Sequence, residues 1–307
     1  MGRISALFVC FALALGACGD QPSEPPVSAA GEDASFPVTI QAANGEVEIA
    51  AKPSRIVSLS STSTEMLFAI GAGKQVVAVD DQSDYPPGLP TTELSGYEPN
   101  VEAIAKYEPD LVVATSDAFL KSLGDLEIPL LVHPAVSTLD EAYTQFEQLG
   151  VATGHASEAA REVARIRADI EEIVEGLLDF DDPPTYYHEL DDTYFSVTSE
   201  TFIGQVYGLA GLRNIADEAK KAGTGYPQLS AEYIVEADPD FIFLGDSECC
   251  NQTPERVSNR PGWDQIAAVE RGAVFDVGDD ISSRWGPRIV DFLQIVVDAI
   301  HEKAPVN

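Results

Sequence analysis

Two segments of the chain repeat one pattern and place a glutamate at the same position in each. They read VEAIAKYEPDLVVATSD at 101–117 and AEYIVEADPDFIFLGDS at 231–247, so Glu102 and Glu232 are equivalent. The helix dipole favours a carboxylate in the first turn, so each glutamate at least stabilises a helix start. As a pair, they also suit a two-fold symmetric partner that offers one basic pocket per subunit.

Both glutamates are predicted to lie at the start of a helix that leads into a strand. Asn100 and Ser230 precede the two segments and are favoured N-cap residues. Each segment then passes through a Pro-Asp pair into an apolar run. The same helix–strand unit therefore occurs twice, which predicts two related lobes.

Motifs that indicate catalysis are missing from the sequence. It contains no G-x-S-x-G, no G-x-x-x-x-G-K-[ST] and no H-E-x-x-H motif. The histidines are scattered, without the spacing of a zinc or catalytic cluster; they are His133, His155, His188 and His301. We therefore expect no enzyme, no intrinsic cofactor and no metal site belonging to the protein.

The chain is strongly acidic. It has 51 acidic and 18 basic residues, which give a formal net charge of −33. Nucleic acids and anionic membrane surfaces attract clustered basic residues, so neither is an expected partner. Solubility or a salty habitat is the simpler explanation of this acidity, and an acidic binding function is the alternative.

The N-terminus has the features of an export signal. Residues 1–18 contain one arginine, an apolar run and small residues that end at Cys18. The LGAC ending resembles the lipobox of bacterial lipoproteins, which implies a lipid on Cys18 at the outer face of the cytoplasmic membrane, in a periplasm or at the cell surface. An ordinary signal cleaved nearby is the alternative. Residues 19–36 are rich in Pro, Ser, Gly and acid and predict a disordered tether.

Two further cysteines, Cys249 and Cys250, are adjacent in the sequence. In an exported protein they either form a vicinal disulfide or stay reduced. Neither the C-x-x-C spacing nor a nearby histidine is present, so we do not expect them to bind metal.

Alternating strands and helices organise the remaining chain. Asn44-Gly45 predicts a hairpin at 38–50. Apolar strands then alternate with helices, as in parallel sheets with helical crossovers. The predicted strands are 55–60, 76–81, 111–115, 129–133, 185–190, 241–245 and 273–278, and the shorter helices are 63–73, 101–107, 117–125, 138–150, 199–210, 231–236 and 287–302.

One longer helix interrupts this alternation midway along the chain. Between residues 157 and 178, apolar residues recur at spacings of three and four, which predicts an amphipathic helix about 33 Å long. They are Val163, Ile166, Ile170, Ile173 and Leu177. We interpret this helix as a rigid strut between two lobes.

The predicted fold class is therefore α/β, with two Rossmann-like lobes and a ligand cleft between them. The N-terminal lobe covers 37–154, the linking helix 155–180 and the C-terminal lobe 181–307. A surface adhesion protein would need neither the cleft, nor the strut, nor the paired acids.

Six segments, in order between about 36 and 302, resemble the periplasmic-binding-protein family that feeds ABC importers of cobalamin, ferric siderophores and haem. The resemblance implies a substrate-binding lipoprotein with two lobes on one long helix, which we expect to be a monomer. In that family a glutamate on each lobe docks onto arginines of the permease dimer, and those glutamates match Glu102 and Glu232. The segments are RIVSLSSTSTEMLFAIGAG, VVAVDDQSDYPP, GYEPNVEAIAKYEPDLVVA, SETFIGQVYGLAGLRNIAD, YPQLSAEYIVEADPDFIFL and RPGWDQIAAVERGAVFDVGDD.

The ligand is expected in the cleft, where strand-to-helix loops converge. Aromatic side chains in those loops would give a flat macrocycle wide walls; the candidates are Tyr85, Tyr97, Phe195 and Tyr226. The resemblance is closest to the cobalamin-binding branch. Tyr85, Phe195, Tyr226 and Asp280 match positions that line the cleft there, and Tyr97 lies within a residue of another.

The favoured ligand is thus cobalamin, a chelate of cobalt. Tyrosine stands at two positions where that branch tends to carry tryptophan, and tyrosine also binds ferric iron or stacks on a porphyrin. A ferric siderophore or haem is therefore the alternative. Near Asp280, Arg284 and Trp285 would meet an acidic siderophore or a propionate, or Arg284 would instead pair with local acids. Trp263 is predicted to pack in the core.

Overall fold

The computed structural model describes residues 35–178, 180–219 and 225–304, all of which belong to one compact unit. The predicted export signal, Cys18 and the tether as far as residue 34 lie outside the described residues. Within the described ranges, no helix is both long enough and apolar enough to cross a membrane.

The first lobe begins with the predicted hairpin. Strands β1 (Val38–Ala42) and β2 (Gly45–Ile49) pair antiparallel, and Gly45 has a φ of 99°, which favours glycine. The Asn44 side chain donates to the Leu130 carbonyl (2.8 Å) and accepts from the Val132 N–H (3.1 Å). The hairpin turn therefore satisfies backbone groups of the last strand of the neighbouring sheet.

That sheet is parallel, as the alternation of strands and helices predicts. Its elements in chain order are β3 (Ile56–Leu59), α1 (Ser61–Ala69), β4 (Val76–Val79), α2 (Val101–Ala105), β5 (Leu111–Ala114), α3 (Leu120–Gly124), β6 (Leu130–Val132) and α4 (Leu139–Thr153). The strand order is β4–β3–β5–β6, and all neighbouring pairs are parallel.

Helix α5 (Ala156–Glu175) follows the first lobe and corresponds to the predicted linking helix. Its 20 residues make it about 30 Å long. The buried face consists of residues at helical spacing, and it packs on α4. These residues are Ala159, Val163, Ile166 and Ile170.

The second lobe repeats the connectivity of the first. Its strands lie in the order β10–β9–β7–β8 and are all parallel. In both sheets the second strand lies on one side of the first strand, and the third and fourth lie on the other. The elements are β7 (Thr185–Glu189), α6 (Phe202–Leu209), β8 (Arg213–Asn214), α7 (Ala231–Ala237), β9 (Phe241–Leu244), α8 (Ser247–Cys250), α9 (Pro254–Ser258), α10 (Ala267–Glu270), β10 (Val274–Asp276), α11 (Asp279–Ser283) and α12 (Ile289–Lys303).

One apolar core runs through both lobes. It includes Val113 of the first sheet, Ile166 of α5 and Phe243 of the second sheet, and α12 packs on α5. A smaller core covers the other face of the first sheet. Because close-packed interiors resist deformation, this shared core opposes wide hinge motion between the lobes. The predicted α/β fold class is confirmed.

In the second lobe, the structure confirms one prediction and answers one question that the sequence left open. Trp263 is fully buried, as predicted, and its ring meets the edge of Tyr187. Cys249 and Cys250, at the end of α8, are joined in a vicinal disulfide. The short helices α8 to α11 and the two-residue strand β8 were not predicted.

Candidate functional site

A cavity of about 430 Å³ opens between the lobes at the carboxyl end of the first sheet. Its first wall contains a residue that follows each of the four parallel strands. These residues are Ser60, Asp80, Thr115 and Ala135. The opposite wall comes from α11 and the loop after it. Ligands of α/β sheets bind at this end of the strands, so the cavity is the candidate binding cleft.

The loop before α2 brings Tyr97 to the rim of this cavity. Ser95 Oγ accepts from the N–H groups of Tyr97 (3.2 Å) and Glu98 (3.1 Å). A Cβ at Gly96 would lie 2.7 Å from Asp80 Oδ2, so only glycine fits there without movement. Tyr97 itself is 86% exposed and available for contact.

Arg284 forms part of the opposite wall and is engaged by acids from both lobes. It contacts Asp84 (2.6 Å) in the loop after β4 and Asp280 (2.5 Å) in α11. The Gln82 carbonyl accepts from its Nη2 at 3.0 Å. The second alternative drawn from the sequence, pairing of Arg284 with local acids, is what the structure shows.

Glu65 of α1 belongs to the same ion-pair cluster, which consists of Glu65, Asp84, Asp280, Arg284 and Arg288. It is fully buried in α1 and accepts from Arg284 Nη1 (3.0 Å) and from Arg288 Nε (2.9 Å) and Nη2 (2.6 Å). Glu65 and Arg288 were not predicted from the sequence as residues of the site. The available signal was that Glu65 is the only acid in α1 and directly precedes its apolar residues 66–69, because a buried charge needs a partner.

The pKa values of Asp84 and Asp280 are shifted in opposite directions. Burial and a hydrogen bond to Asp84 raise the pKa of Asp280 to about 7. Burial alone would raise the pKa of Asp84, but hydrogen bonds to Asp280 and Arg284 outweigh it and lower that pKa. The two carboxyl groups therefore share one proton below about pH 7.

Trp285 is held by a hydrogen bond between lobes. Its Nε1 donates to Gln145 Oε1 in α4 at 2.7 Å. The indole lines the cavity and is only partly buried. This bond fixes the ring as a rigid element of the cleft wall.

Tyr85 lies on a different cavity, of about 520 Å³, bounded by α1, α5 and the start of α12. The Arg288 guanidinium carbon is 4.4 Å from the centre of its ring, a cation–π contact. Glu65 and Arg288 line this side cavity, and Glu65 also bonds Arg284 in the cleft wall. The ion-pair cluster thus separates the two cavities.

Phe195 and Tyr226 lie on neighbouring segments of the second lobe. Phe195 bridges antiparallel to Gln228, and Ser196 N–H donates to the Pro227 carbonyl (2.9 Å). Neither aromatic lines the two cavities described above. Phe195 and Tyr226 therefore lie on neighbouring segments, but they do not line the cavity that is lined by Tyr97, Asp280, Arg284 and Trp285.

The four aromatic residues predicted for the cleft share one property. Among the Phe, Tyr and Trp side chains in the described ranges, they alone are exposed. Their exposed fractions are 40% for Tyr85, 86% for Tyr97, 37% for Phe195 and 45% for Tyr226. Their exposure leaves all four rings accessible to a ligand or a partner.

Glu102 and Glu232 occupy matching positions outside the cleft. Each is the second residue of its helix, α2 or α7, and each is exposed. The caps are as predicted, since Asn100 accepts from Ala103 N–H and Ser230 from Tyr233 N–H. Neither glutamate makes a hydrogen bond or ion pair with another described residue, so both carboxylates are available to a partner.

The aspartates shared by the two repeated segments have a structural role that was not predicted. Asp110 accepts from Ser54 N–H and Oγ (2.8 and 2.9 Å), and Asp240 accepts from Thr185 N–H and Oγ1 (2.9 and 3.1 Å). Each aspartate ties the start of the third strand of its sheet to the start of the first. Part of the repetition therefore serves the fold.

The described residues contain no group of three or more His, Cys, Asp or Glu side chains placed to hold a metal ion. Burial lowers the pKa of His133 to about 4 and that of His188 to about 3, so both are neutral. His188 Nδ1 lies 2.8 Å from the Tyr207 hydroxyl, which suits a core histidine.

Known proteins resemble the chain along most of its length. A protein of Bacillus subtilis named as an uncharacterized ABC transporter substrate-binding lipoprotein, YvrC, is 30% identical over 97% of this chain and 96% of its own. A cobalamin-binding protein of Halobacterium salinarum is 31% identical over 98% of this chain and 85% of its own.

A solved structure has the same architecture. It is described as a possible iron-binding, periplasmic solute-binding protein from Staphylococcus epidermidis, and it is 25% identical with a TM-score of 0.71. The match covers 82% of this chain and 100% of that one. The model of the periplasmic binding protein family matches residues 56–281. The chain therefore belongs to the periplasmic binding protein family, whose members bind substrates without catalysis.

Proposed function

We propose that this protein is the substrate-binding component of an ABC importer that captures a metal chelate, with cobalamin favoured, and delivers it to the permease. The cavity between the lobes at the strand ends carries this proposal. Its polar floor, its fixed tryptophan and the exposed Tyr97 on its rim suit a large, mostly neutral ligand. The name of the Halobacterium relative supports cobalamin.

The proposed ligand contacts extend beyond the cavity. Tyr97, Asp280 and Trp285 contact the ligand in the cleft, while the other aromatic residues contact parts that project from it. These others are Tyr85, Phe195 and Tyr226. Arg284 is part of the wall, and its direct contact with a ligand remains a prediction.

Delivery uses the two exposed glutamates. Glu102 and Glu232 stand at equivalent positions of the two lobes and lack partners in the described protein. A permease dimer would offer one basic pocket to each of them. A lipid on Cys18 would keep the protein at the outer face of the membrane as its only attachment, and the name of the Bacillus relative supports this.

A ferric siderophore or haem is the second candidate ligand, so that the cargo metal is iron instead of cobalt. The name of the Staphylococcus structure, a possible iron-binding protein, favours it.

The test is a thermal-shift screen of the chain from residue 19 onward against cyanocobalamin, haemin and several ferric siderophores. A ligand that binds the folded state raises the melting temperature by mass action. We expect the largest shift with cyanocobalamin. A shift confined to haemin or siderophores would replace cobalamin, and no shift with any of them would contradict the proposed ligand class.

A further inference from the structure

Arg284 is the one basic side chain among the described residues that line the cleft. A ligand with carboxylate groups would need it, because guanidinium–carboxylate pairs are the usual anchor for such groups. The availability of this side chain therefore decides which ligand charges the cleft accepts.

Both terminal nitrogens of Arg284 are engaged by acceptor groups of the protein. Nη1 faces Glu65 (3.0 Å) and Asp84 (2.6 Å), and Nη2 faces the Gln82 carbonyl (3.0 Å) and Asp280 (2.5 Å). Three of the four N–H groups on these nitrogens therefore make hydrogen bonds, and Asp280 holds Nη2 in a close ion pair. The side chain is only 7% exposed. An incoming carboxylate would have to displace one of these acceptors.

The charge of Arg284 is likewise cancelled within the protein. Two arginines, Arg284 and Arg288, face three carboxylates, of Glu65, Asp84 and Asp280. The cluster is therefore neutral when one carboxyl group is protonated and negative when none is. Asp80, Asp81 and Glu248 add further negative charge nearby. An anionic ligand finds no net attraction in this wall.

The three acids differ in how they hold Arg284. Glu65 is fully buried and shared with Arg288, so it belongs to the packing between the lobes. The Asp84 and Asp280 side chains are 60% and 26% exposed, and Asp280 lines the cleft cavity. A ligand would therefore compete with these two aspartates.

We propose that Asp84 and Asp280 determine the specificity of the cleft, because by occupying Arg284 they exclude carboxylate-bearing ligands and leave the cavity to neutral, amide-bearing ones. This inference rests on the proposed function, since it assumes that the cleft binds the ligand. It is an instance of selection by repulsion of the wrong ligand. The proton shared by Asp84 and Asp280 is consistent with this proposal. Even with that proton bound, the cluster has no net positive charge that would attract an anionic ligand.

The experiment compares haemin, which carries two propionates, with cyanocobalamin, whose corrin ring carries neutral amides. Their dissociation constants are measured for the wild type, Asp84→Asn, and Asp84→Asn with Asp280→Asn. We expect the ratio of haemin to cyanocobalamin affinity to rise at least tenfold in the double variant. This increase in the affinity ratio should be smaller at high salt, because the attraction between Arg284 and the propionates is electrostatic.

Two further variants serve as controls. Asp81→Asn removes the same charge from an exposed neighbour that does not bond Arg284, and it should raise the ratio by less than about twofold, because it frees no Arg284 donor. Arg284→Met in the double variant should abolish the gain. Asp84→Asn alone should already show part of the gain, and its exposed side chain makes it the variant best able to fold.

The outcomes separate this inference from the proposed function. An unchanged ratio in a folded Asp84→Asn variant, or an equal gain in Asp81→Asn, would overturn the inference while cobalamin binding stands. A wild type that binds haemin more tightly than cyanocobalamin would also overturn it. A wild type that binds no chelate at all would contradict the proposed function itself.

Discussion

Arg284 of the second lobe and Glu65 of the first are 219 positions apart in sequence and are joined by a hydrogen bond of 3.0 Å. Both are buried, and Arg288 bonds the same carboxylate. The pair crosses the boundary between the lobes directly behind the candidate cleft. The cleft wall and the lobe contact thus depend on the same side chains.

The first prediction concerns this buried carboxylate. Glu65→Gln leaves the Arg288 guanidinium without its carboxylate partner, while Asp84 and Asp280 still face Arg284, and breaking a buried pair costs about 3–5 kcal/mol. We expect the free energy of unfolding to fall by that amount in urea denaturation. Glu171→Gln on the exposed side of α5 removes an equal charge and should change stability by less than about 0.5 kcal/mol. Equal effects of the two variants would contradict the assigned role.

A second prediction separates docking from binding. Glu102→Ala combined with Glu232→Ala should reduce uptake of the ligand into cells that contain the permease, because the basic pockets lose their partners. Affinity for the ligand should stay within about twofold, since both residues lie outside the cleft. Glu171→Ala with Glu175→Ala removes the same charge from exposed residues of α5 and should leave uptake intact. Lost ligand binding in the first double variant would exclude a docking role.

A third prediction follows from a buried carboxyl group in the second lobe. Asp246 is fully buried, its oxygens lack hydrogen-bond donors among the described residues, and burial followed by repulsion from Glu189 raises its pKa to about 8. The folded state therefore holds this proton up to about pH 8, whereas an unfolded aspartate releases it near pH 4. The stability that this group contributes is greatest below about pH 4 and is lost as the pH rises to about 8.

The Asp246→Asn variant has no ionisable group at this position. Its stability should therefore not show the fall with rising pH that Asp246 causes in the wild type. Relative to the wild type, its free energy of unfolding should increase steadily between about pH 4 and pH 8. Chemical denaturation at several pH values measures this difference. A difference that is constant with pH would show that Asp246 does not titrate in this range.

The fold followed closely from the sequence because its signals are local. The Asn44-Gly45 turn, the apolar strands and the helical spacing of Val163, Ile166 and Ile170 each determine an element without help from distant residues. The exposure of Tyr97 was also predictable, from its position in a loop near the strand ends.

The candidate site was less predictable because it depends on contacts between distant segments. No periodicity links Glu65 to Arg284 and Arg288, and only the folded lobes bring them together. Asp110 and Asp240 were visible as repeated residues, but their bonds to the first strands depend on sheet order. The four short helices α8 to α11 have 4 or 5 residues each, too few for a periodic signal.

The most direct measurement is a calorimetric titration of the chain from residue 19 onward with cyanocobalamin. Tyr97→Ala is titrated beside the wild type, and Leu126→Ala, an exposed apolar residue outside the cleft, is the control. We predict saturable binding at a stoichiometry near one, weakened at least tenfold by Tyr97→Ala and unchanged by Leu126→Ala. Absence of saturable binding to cyanocobalamin would contradict cobalamin as the ligand, and equal affinity in all three proteins would contradict the location of its site.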